Sequence, residues 1–583
     1  MTIGAHFPPG DLAFDVCVVG AGPAGLAVAL QCEARGLSVL VIEAGGRRPH
    51  RRGSMLNQSD ILNEQYHHSL NVTTRHAFGG TSWAWGGHCV PFDAIDFEQR
   101  PYVAESGWPI SCEEVRRWHK AAATYLDCGE PRFETHAPGW QGLHGIDVET
   151  IDRKSRSPNL ARTYGRRIST SQRIWLCLEK PVIGLELDWT GERVVGVRIQ
   201  AGTSSRLAQM ARLYVLAGGG LESTRLLLDV QRDWPRHFGG DDGPLGRYYM
   251  GHIGGELATI VFNAEADATE FLVKIDPNGV PTLRRFWIQH TTQRSEHILN
   301  TAFMLRTLPF ADHRHGSAAL SLLALGLPAP LVRNGISPHR LHGHFQKKVR
   351  LSGRRHLRNL LKNPALTASE FKQIIQHKFL LDTGVPIIVR NKFGRYALRY
   401  HAEQVPNPES RVWLADRSAP FGAPPLSIDF RYTEQDADSV VRAHEVLDRA
   451  LRASGRGRLE YWHPPEERLA AVLAQATDGY HQVGTTRMHL DPRQGVVDPD
   501  CRVHGVRNLF VASSSVFPTT GQANPTFTIA ALAARLASHL AEFCRPVIRD
   551  IRPQQLGLIR QWLAEPGERF AECLDAEPDR QGV

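Results

Sequence analysis

The stretch from Phe14 to Gly46, FDVCVVGAGPAGLAVALQCEARGLSVLVIEAGG, constrains the fold more than any other part of the chain. Val16 to Val19 is a short β-branched run leading into Gly20, Gly22 and Gly25, spaced G-x-G-x-x-G. Such glycines permit a tight turn, close backbone approach to a pyrophosphate, and close packing of helix on strand. The following helix should end near Arg35, with Gly36 in the left-handed cap conformation. Val39 to Ile42 is continuously apolar, as expected of a parallel strand covered on both faces. Glu43 stands at its end, 23 residues after Gly20. A carboxylate there suits the two hydroxyls of an adenosine ribose and disfavours a 2′-phosphate. A lone glycine fingerprint would be weak evidence, but strand, helix, second strand and acid together predict a dinucleotide site.

The 583 residues can bury a large core, and with 22% charged residues and no low-complexity tract the chain reads as globular. The longest apolar-rich run, Ala318 to Val332, is broken by Ser321, Gly326, Pro328 and Pro330, so no transmembrane helix is expected. The first thirteen residues lack a cationic start followed by an apolar core, so no secretory signal is expected. Nine cysteines without framework spacing or a C-x-x-C pair suggest reduced thiols in a cytoplasm and no metal site. A nucleic-acid function would rest on the pI of about 9.0 alone and is not expected.

Along the chain, RHAFGGTSWAWGGHCVP, from Arg75 to Pro91, sets four glycines around Trp83 and Trp85. It suits backbone lying against a flat ring, or equally a glycine loop pinned by two buried tryptophans. Ser111 is a plausible cap with Glu113 and Glu114 in the first helical turn. PVIGLELDW, ERVVGVRIQ and ARLYVLAGG resemble a three-strand excursion that returns to the sheet and ends at Gly218, Gly219 and Gly220 before the helical LESTRLLL. This second strand-glycine-helix junction suggests a discontinuous nucleotide domain. Residues 256–474 differ in texture, with strand-like SRVWLAD and PLSIDFRYT and an amphipathic helix EQDADSVVRAHEVLDRALRAS, and read as a substrate domain. Within it, residues 313–369 contain ten Lys and Arg and no Asp or Glu, so this insert alone exceeds the +8 of the whole chain. There Phe345, Val349, Leu357, Leu360 and Leu361 could form an apolar stripe opposite the cations, though Gly353 is expected to interrupt the helix. Such a face suits an anionic membrane surface or an acidic partner. The alternative is a merely solvated insertion. YHQVGTTRMHL and NLFVASSSVFPTTGQANPTFTIAALAARLASHL form a final catalytic-looking block from Tyr480 to Leu540, with Asn524 placed as a helix cap and Pro525 at the first helical position.

Taken together, VVGAGPAGLAVA with Glu43, GGTSWAWGG, VLAGGGLESTRLLL, HQVGTTRM and NLFVASSSVFPTTGQANPTFTIAALAARLA resemble the glucose-methanol-choline flavoprotein oxidoreductases, in the order that family has them. Through HQVGTTRM and PNPESRVWL the resemblance is closer to bacterial members acting on sugars and glycosides than to the cholesterol or choline branches. It implies an α/β fold: a Rossmann-like FAD-binding domain, 11–255 and 475–545, interrupted by an α+β substrate domain, with a C-terminal extension at 546–583. It implies FAD contacts from Gly20, Gly22, Gly25 and Glu43, from Gly79, Gly80, Thr81, Ser82, Trp85, Gly86 and Gly87, from Val182 and Gly218, and from Ser513, Pro525 and Thr526. Ala84 stands where some members carry a flavin-bonded histidine, so FAD should be non-covalent. Ser513 replaces an Asp common in the family, which leaves that one contact open.

The resemblance also makes His481 and Asn524 the pair facing the reactive edge of the flavin. Oxidising an alcohol removes two hydrogens, and hydride departure from an undeprotonated carbinol would build unfavourable oxocarbenium character. A base of near-neutral pKa is therefore needed, which histidine supplies. His481 is expected to take the hydroxyl proton while flavin N5 takes the hydride, with Asn524 positioning the same oxygen. The expected activity is oxidation of a primary or secondary alcohol of a sugar, glycoside or polyol to a carbonyl. The acceptor is open between oxygen, a quinone and an electron carrier. The alternative is a flavoprotein dehydrogenase recruited to a membrane or partner through the basic insert and acting on a non-sugar alcohol.

Overall fold

The computed structural model describes residues 3–4, 14–50, 55–140, 142–201, 204–208, 211–309, 312–326, 352–362, 370, 388–391, 393–416 and 424–544. Residues 1–540 form one compact unit; of the second, 541–583, only the end of helix Thr526–Cys544 is described.

A six-stranded parallel sheet runs in the order Ile3–Gly4, Ile174–Cys177, Val39–Ile42, Phe14–Val19, Ala211–Leu216, Leu509–Val511. Beyond Asp15 and Arg212 near their starts, its central strands are apolar, as burial on both faces requires: Val16, Val18, Val39, Val41, Val215 and Val511 are all at 0% exposure. From Phe14–Val19 the chain first builds outward on one side, then returns to the other side at Ala211–Leu216. The crevice at the carboxyl ends of strands that diverge in this way is where α/β sheets bind ligands. Helix Pro23–Glu33 begins there with Pro23 in its first turn, and Gly36 takes φ +86° beyond its end.

The excursion returns to the parallel sheet at Ala211–Leu216 as expected, but its three antiparallel strands are Val182–Leu187, Val194–Ala201 and Ser204–Ala208, the last of which was not expected. Tyr214, Val215 and Leu216 are buried on both faces, which a two-sided sheet provides and a small surface meander does not.

A second, antiparallel sheet takes the order Gly457–Tyr461, His252–Phe262, Arg395–Glu403, Thr301–Arg306, Phe286–Ile288, Ile146–Asp147. One face of Arg395–Glu403 carries Tyr400, which meets His444 of helix Glu434–Ala453 at a ring separation of 5.4 Å. The other carries His401, which faces the site described below. The helix starts with a reciprocal capping box between Thr433 and Asp436. SRVWLAD and PLSIDFRYT do not join this sheet: Arg411–Leu414 and Leu426–Asp429 pair with each other, and the latter with Ser59–Ile61.

In the basic insert, helix Gly353–Lys362 begins at Gly353 rather than being interrupted by it. Phe345 and Val349 lie outside the described residues. The expected opposition of apolar and cationic faces is also not found. His356 is buried against Ser321 Oγ at 3.1 Å, whereas Leu357 and Leu361 are 51% and 74% exposed on a surface shared with Arg354, Arg355 and Arg358. Among the described residues one helix, Thr526–Cys544, is long and apolar enough to cross a membrane. Phe527, Ala531, Ala537 and Leu540 are wholly buried, so much of its apolar surface serves the core.

Arg100 ties the segment before the second sheet to Glu403 on it, with Nη1 donating to Oε2 at 2.7 Å and both side chains at most 1% exposed. Arg100→Leu should strand the buried Glu403 carboxylate and cost ~3–5 kcal/mol, read as a fall in the midpoint of thermal or urea unfolding. A change below about 1 kcal/mol would show that the pair is not needed for stability.

Candidate active site

The floor of the site is the turn after Phe14–Val19. Gly20 has φ +106°, and a β-carbon there would lie 2.6 Å from Ala217 O. A β-carbon on Gly25 would lie 2.0 Å from Gly20 O, so this glycine lets the helix sit on its own turn. Gly22 differs: with φ −78°, its β-carbon would meet Gly80 Cα at 3.9 Å and otherwise face open space. The first and third glycines therefore serve the fold, while the second leaves room for a ligand. Glu43 closes the turn, accepting from Ala21 N at 2.8 Å and Gly45 N at 2.9 Å. Burial raises its pKa to about 7 despite those bonds.

The second glycine cluster lies on the first. Gly79 N donates to Ala21 O at 2.9 Å, and a β-carbon on Gly80 would be 2.7 Å from Gly22 Cα. Gly79 and Gly80 take φ +92° and +53° to enter the short 3-10 turn Gly80–Trp83. Thr81 and Ala84 are exposed, and Ser82 is buried with Oγ donating to Gly79 O at 2.6 Å. Trp83 and Trp85 are half-buried rather than buried, each anchored by its indole N–H, to Phe78 O at 2.8 Å and Pro158 O at 2.6 Å. Gly86 O accepts from buried Lys154 Nζ at 2.8 Å, and Gly87 has φ +67°.

The third cluster does work that its spacing did not reveal. A β-carbon on Gly220 would be 2.6 Å from Gln482 O, and Leu221 N donates to Gln482 Oε1 at 3.1 Å. The glycines thus admit the segment carrying His481. Gly218 also lines a shallow, open cleft with His76, Glu222, Arg225 and Gln482. Val182 lies beside it, its carbonyl accepting from Arg225 Nη2 at 3.3 Å. Ser513 accepts from Ser515 N at 2.9 Å as a cap of the turn Ser514–Val516, and Ser514 Oγ donates to Gln482 O at 2.7 Å.

His481 and Asn524 do come together: Asn524 Nδ2 lies 3.1 Å from His481 Nε2. Asn524 is thus turned to the imidazole rather than capping the helix, which runs from Thr526 with Ile529 N donating to Pro525 O at 2.9 Å. Its loop is fixed from the second sheet. Gln522 Oε1 accepts from Arg285 Nη1 at 2.9 Å, Gln522 Nε2 donates to Asp93 Oδ2 at 2.9 Å, and Gln522 O accepts from His401 Nδ1 at 2.6 Å.

Three residues that sequence reasoning missed surround His481. Asp478 Oδ2 is 3.1 Å from its Nδ1, His252 Nδ1 is 3.0 Å from the same nitrogen, and His401 stacks on His252 with ring centroids 4.3 Å apart. Only Asp478, three positions before His481, left a local trace. Burial alone would raise the Asp478 pKa, but His481 and His252 hold it well below the carboxylate range. Burial, then His481, lowers His252 to about 3, and burial, then His252 and His481, depresses His401. Nitrogens of the three imidazoles lie within 4.8 Å of one another. That spacing could suit a metal, but the Nδ1 bonds of His401 and His481 are already made within the protein.

The chain was compared with known proteins. The model described as GMC oxidoreductase matches residues 406–533, and that described as FAD binding domain matches residues 15–60. A 6'''-hydroxyparomomycin C oxidase of Streptomyces lividus is 32% identical over 564 residues, 91% of this chain and 92% of that protein. A C-glycoside 3-oxidase of Arthrobacter globiformis is 39% identical over 123 residues, which span 21% of this chain and only 22% of that protein. A paromamine 6'-oxidase of Streptomyces fradiae is 33% identical over 136 residues, 23% and 24% of the two chains.

The glycine geometry separates two outcomes. Gly22→Val should give a folded, colourless protein, because its side chain would fill the ligand space without striking backbone. Gly25→Val should fail to fold, because its side chain would strike Gly20 O. Flavin absorbance per protein, measured beside circular dichroism, distinguishes them; a yellow Gly22→Val protein would refute the assignment.

Proposed function

The chain belongs to the GMC oxidoreductases, FAD-dependent enzymes acting on CH–OH groups, and from that premise we propose that it oxidises an alcohol carbon of a sugar, glycoside or related polyol to a carbonyl. The reading is carried by the convergence of His481 Nε2 and Asn524 Nδ2 at 3.1 Å, on segments held by the glycine clusters and the second sheet. The names of the relatives, oxidases of glycosides and aminoglycosides, support the substrate class.

The residues present fit FAD: open space at Gly22, Glu43 at the second strand's end, the loop of Gly79 to Gly87 laid on the first turn, and the cleft at Gly218. When bound, FAD supplies the acceptor for the hydride leaving the carbinol carbon. His481 takes the hydroxyl proton at Nε2, and the Asn524 amide holds the same oxygen in place. Proton removal is thereby timed with loss of hydride, so positive charge does not build on the carbon. The domain division we propose has 11–255 and 475–545 holding FAD and 256–474 facing the substrate, with Leu426–Asp429 pairing across it to Ser59–Ile61. Strand Ile146–Asp147 joins the second sheet from the first of these segments. The eight described cysteines form no disulfide with one another.

His481→Ala and Asn524→Ala should retain FAD, and His481→Ala should reduce it ~100- to 10,000-fold more slowly in anaerobic rapid mixing. Reduction within about threefold of the parent rate across pH would make another residue the base. A panel of sugars, glycosides, aminoglycosides and simple alcohols, each tried with oxygen, a quinone and a dye acceptor, tests the substrate class; reduction by simple alcohols alone would overturn it. Ala84 offers no atom for a flavin bond, so acid precipitation should leave the yellow colour in the supernatant.

A second reading has its own observation, the exposed Leu357 and Leu361 beside Arg354, Arg355 and Arg358. Apolar side chains flanked by cations suit an anionic membrane surface, where each cation contributes about 1 kcal/mol. The protein should co-sediment with phosphatidylserine-containing vesicles at low salt and be released at high salt. An absence of binding at low salt would remove this reading.

A further inference from the structure

We propose that Asp478 is a positioning residue for the oxidation, fixing His481 in the tautomer with its proton on Nδ1 and its bare nitrogen, Nε2, toward the substrate. The inference rests on His481 being the base.

Two proton arrangements satisfy the distances. In one, His481 Nδ1–H points to Asp478 Oδ2 at 3.1 Å and to His252 Nδ1 at 3.0 Å, and Nε2 accepts from Asn524. In the other, His252 Nδ1–H donates to a bare His481 Nδ1, His481 carries its proton on Nε2, and the Asn524 amide is reversed. The second sets an ionised carboxylate oxygen against a nitrogen lone pair in a buried place, where the repulsion is poorly screened. The first replaces that repulsion with a charge-assisted hydrogen bond.

The carboxylate is built for the first arrangement. Asp478 is 5% exposed, and its oxygens accept from Tyr480 N at 2.9 Å, His481 N at 3.2 Å and His252 N at 2.7 Å, besides the imidazole. A β-carbon on Gly251 would stand 2.6 Å from Oδ2, so the neighbouring strand holds the carboxylate without a side chain between. Three histidines and three tyrosines around it stay neutral at neutral pH. Burial takes His67 down to about 4 and His252 to about 3 and depresses His401, while burial, then Asp478 itself, raises Tyr249, Tyr432 and Tyr480. With Asp478 Oδ2 3.1 Å from His481 Nδ1, the imidazolium formed by proton abstraction arises next to its counter-charge.

The first test reads the tautomer without any variant of Asp478. In holoenzyme labelled with ¹⁵N-histidine, with His481→Gln for assignment, His481 at neutral pH should show a protonated Nδ1 and a bare Nε2. The reverse would overturn the proposal even if His481 is the base. The second test is Asp478→Asn, which can present its amide N–H to Nδ1 and so favour the wrong tautomer. Its limiting rate of flavin reduction should fall by roughly 100- to 10,000-fold, with the substrate dissociation constant within about threefold of the parent. A limiting rate within about threefold of the parent overturns the proposal. Should Asp478→Asn lose FAD or fail to fold, the tautomer measurement decides. A parent-like rate in His481→Ala would instead sink the assignment of the base.

Discussion

The structure depends on backbone meeting backbone at places where a β-carbon cannot stand. Gly20 lies against Ala217, Gly25 against Gly20, Gly80 against Gly22 and Gly220 against Gln482, each at a distance that a side chain would close. These contacts join four segments far apart in sequence at the carboxyl ends of the parallel strands, with the third glycine cluster seating the residue next to His481. The glycines lose more conformational entropy than other residues would on folding, and burial of the strands beneath them offsets that loss. A chain with alanine at these positions would keep its sheet pattern and lose the convergence.

The second sheet supplies what glycine contacts cannot: orientation of the polar groups. His252 and His401 reach the site from two of its strands, and Arg285 holds Gln522, two residues before Asn524. Arg285 is 1% exposed, and Nε and Nη2 lack a protein partner, so Gln522 is its one side-chain bond among those described. A buried guanidinium with so few bonds is costly unless nearby carboxylates balance it, and Asp152 contributes to that balance. The loop bearing Asn524 is therefore pinned from both sides, by Asp93 through Gln522 and by Trp108 through Thr519.

Where burial is uniform, the sequence was readable. Val16 to Val19 and Val39 to Ile42 are apolar at every position because both faces are covered, and the glycine spacing located the turn between them. Ile174–Cys177 was missed: four residues including a tryptophan carry no periodicity, although the strand is in register with Val39–Ile42. SRVWLAD and PLSIDFRYT were recognised as strands, but their partner was not, because pairing of Leu426–Asp429 with Ser59–Ile61 is a contact across more than three hundred residues. In the site, His481 and Asn524 were legible through their motifs. His252 was not, since it lies 229 residues from His481 and its role comes from one nitrogen-to-nitrogen approach.

The electrostatics of the site follow from which of its groups water can reach. His252, at 2% exposure, is kept neutral by burial, and His401 is depressed by burial and by its two imidazole neighbours, whereas the His481 side chain is 20% exposed. A base working on a carbinol must take a proton and later release it, and only a ring with access to the reaction space can do both. The two flanking rings have the complementary property. Because they resist protonation, they can crowd His481 without adding charge, and they exclude water that would screen its attraction to Asp478. Replacing either ring with a lysine would place a second cation beside the first and remove the reason for the carboxylate to serve His481 alone. On the proposed reading the histidine cluster is one base inside a neutral aromatic wall.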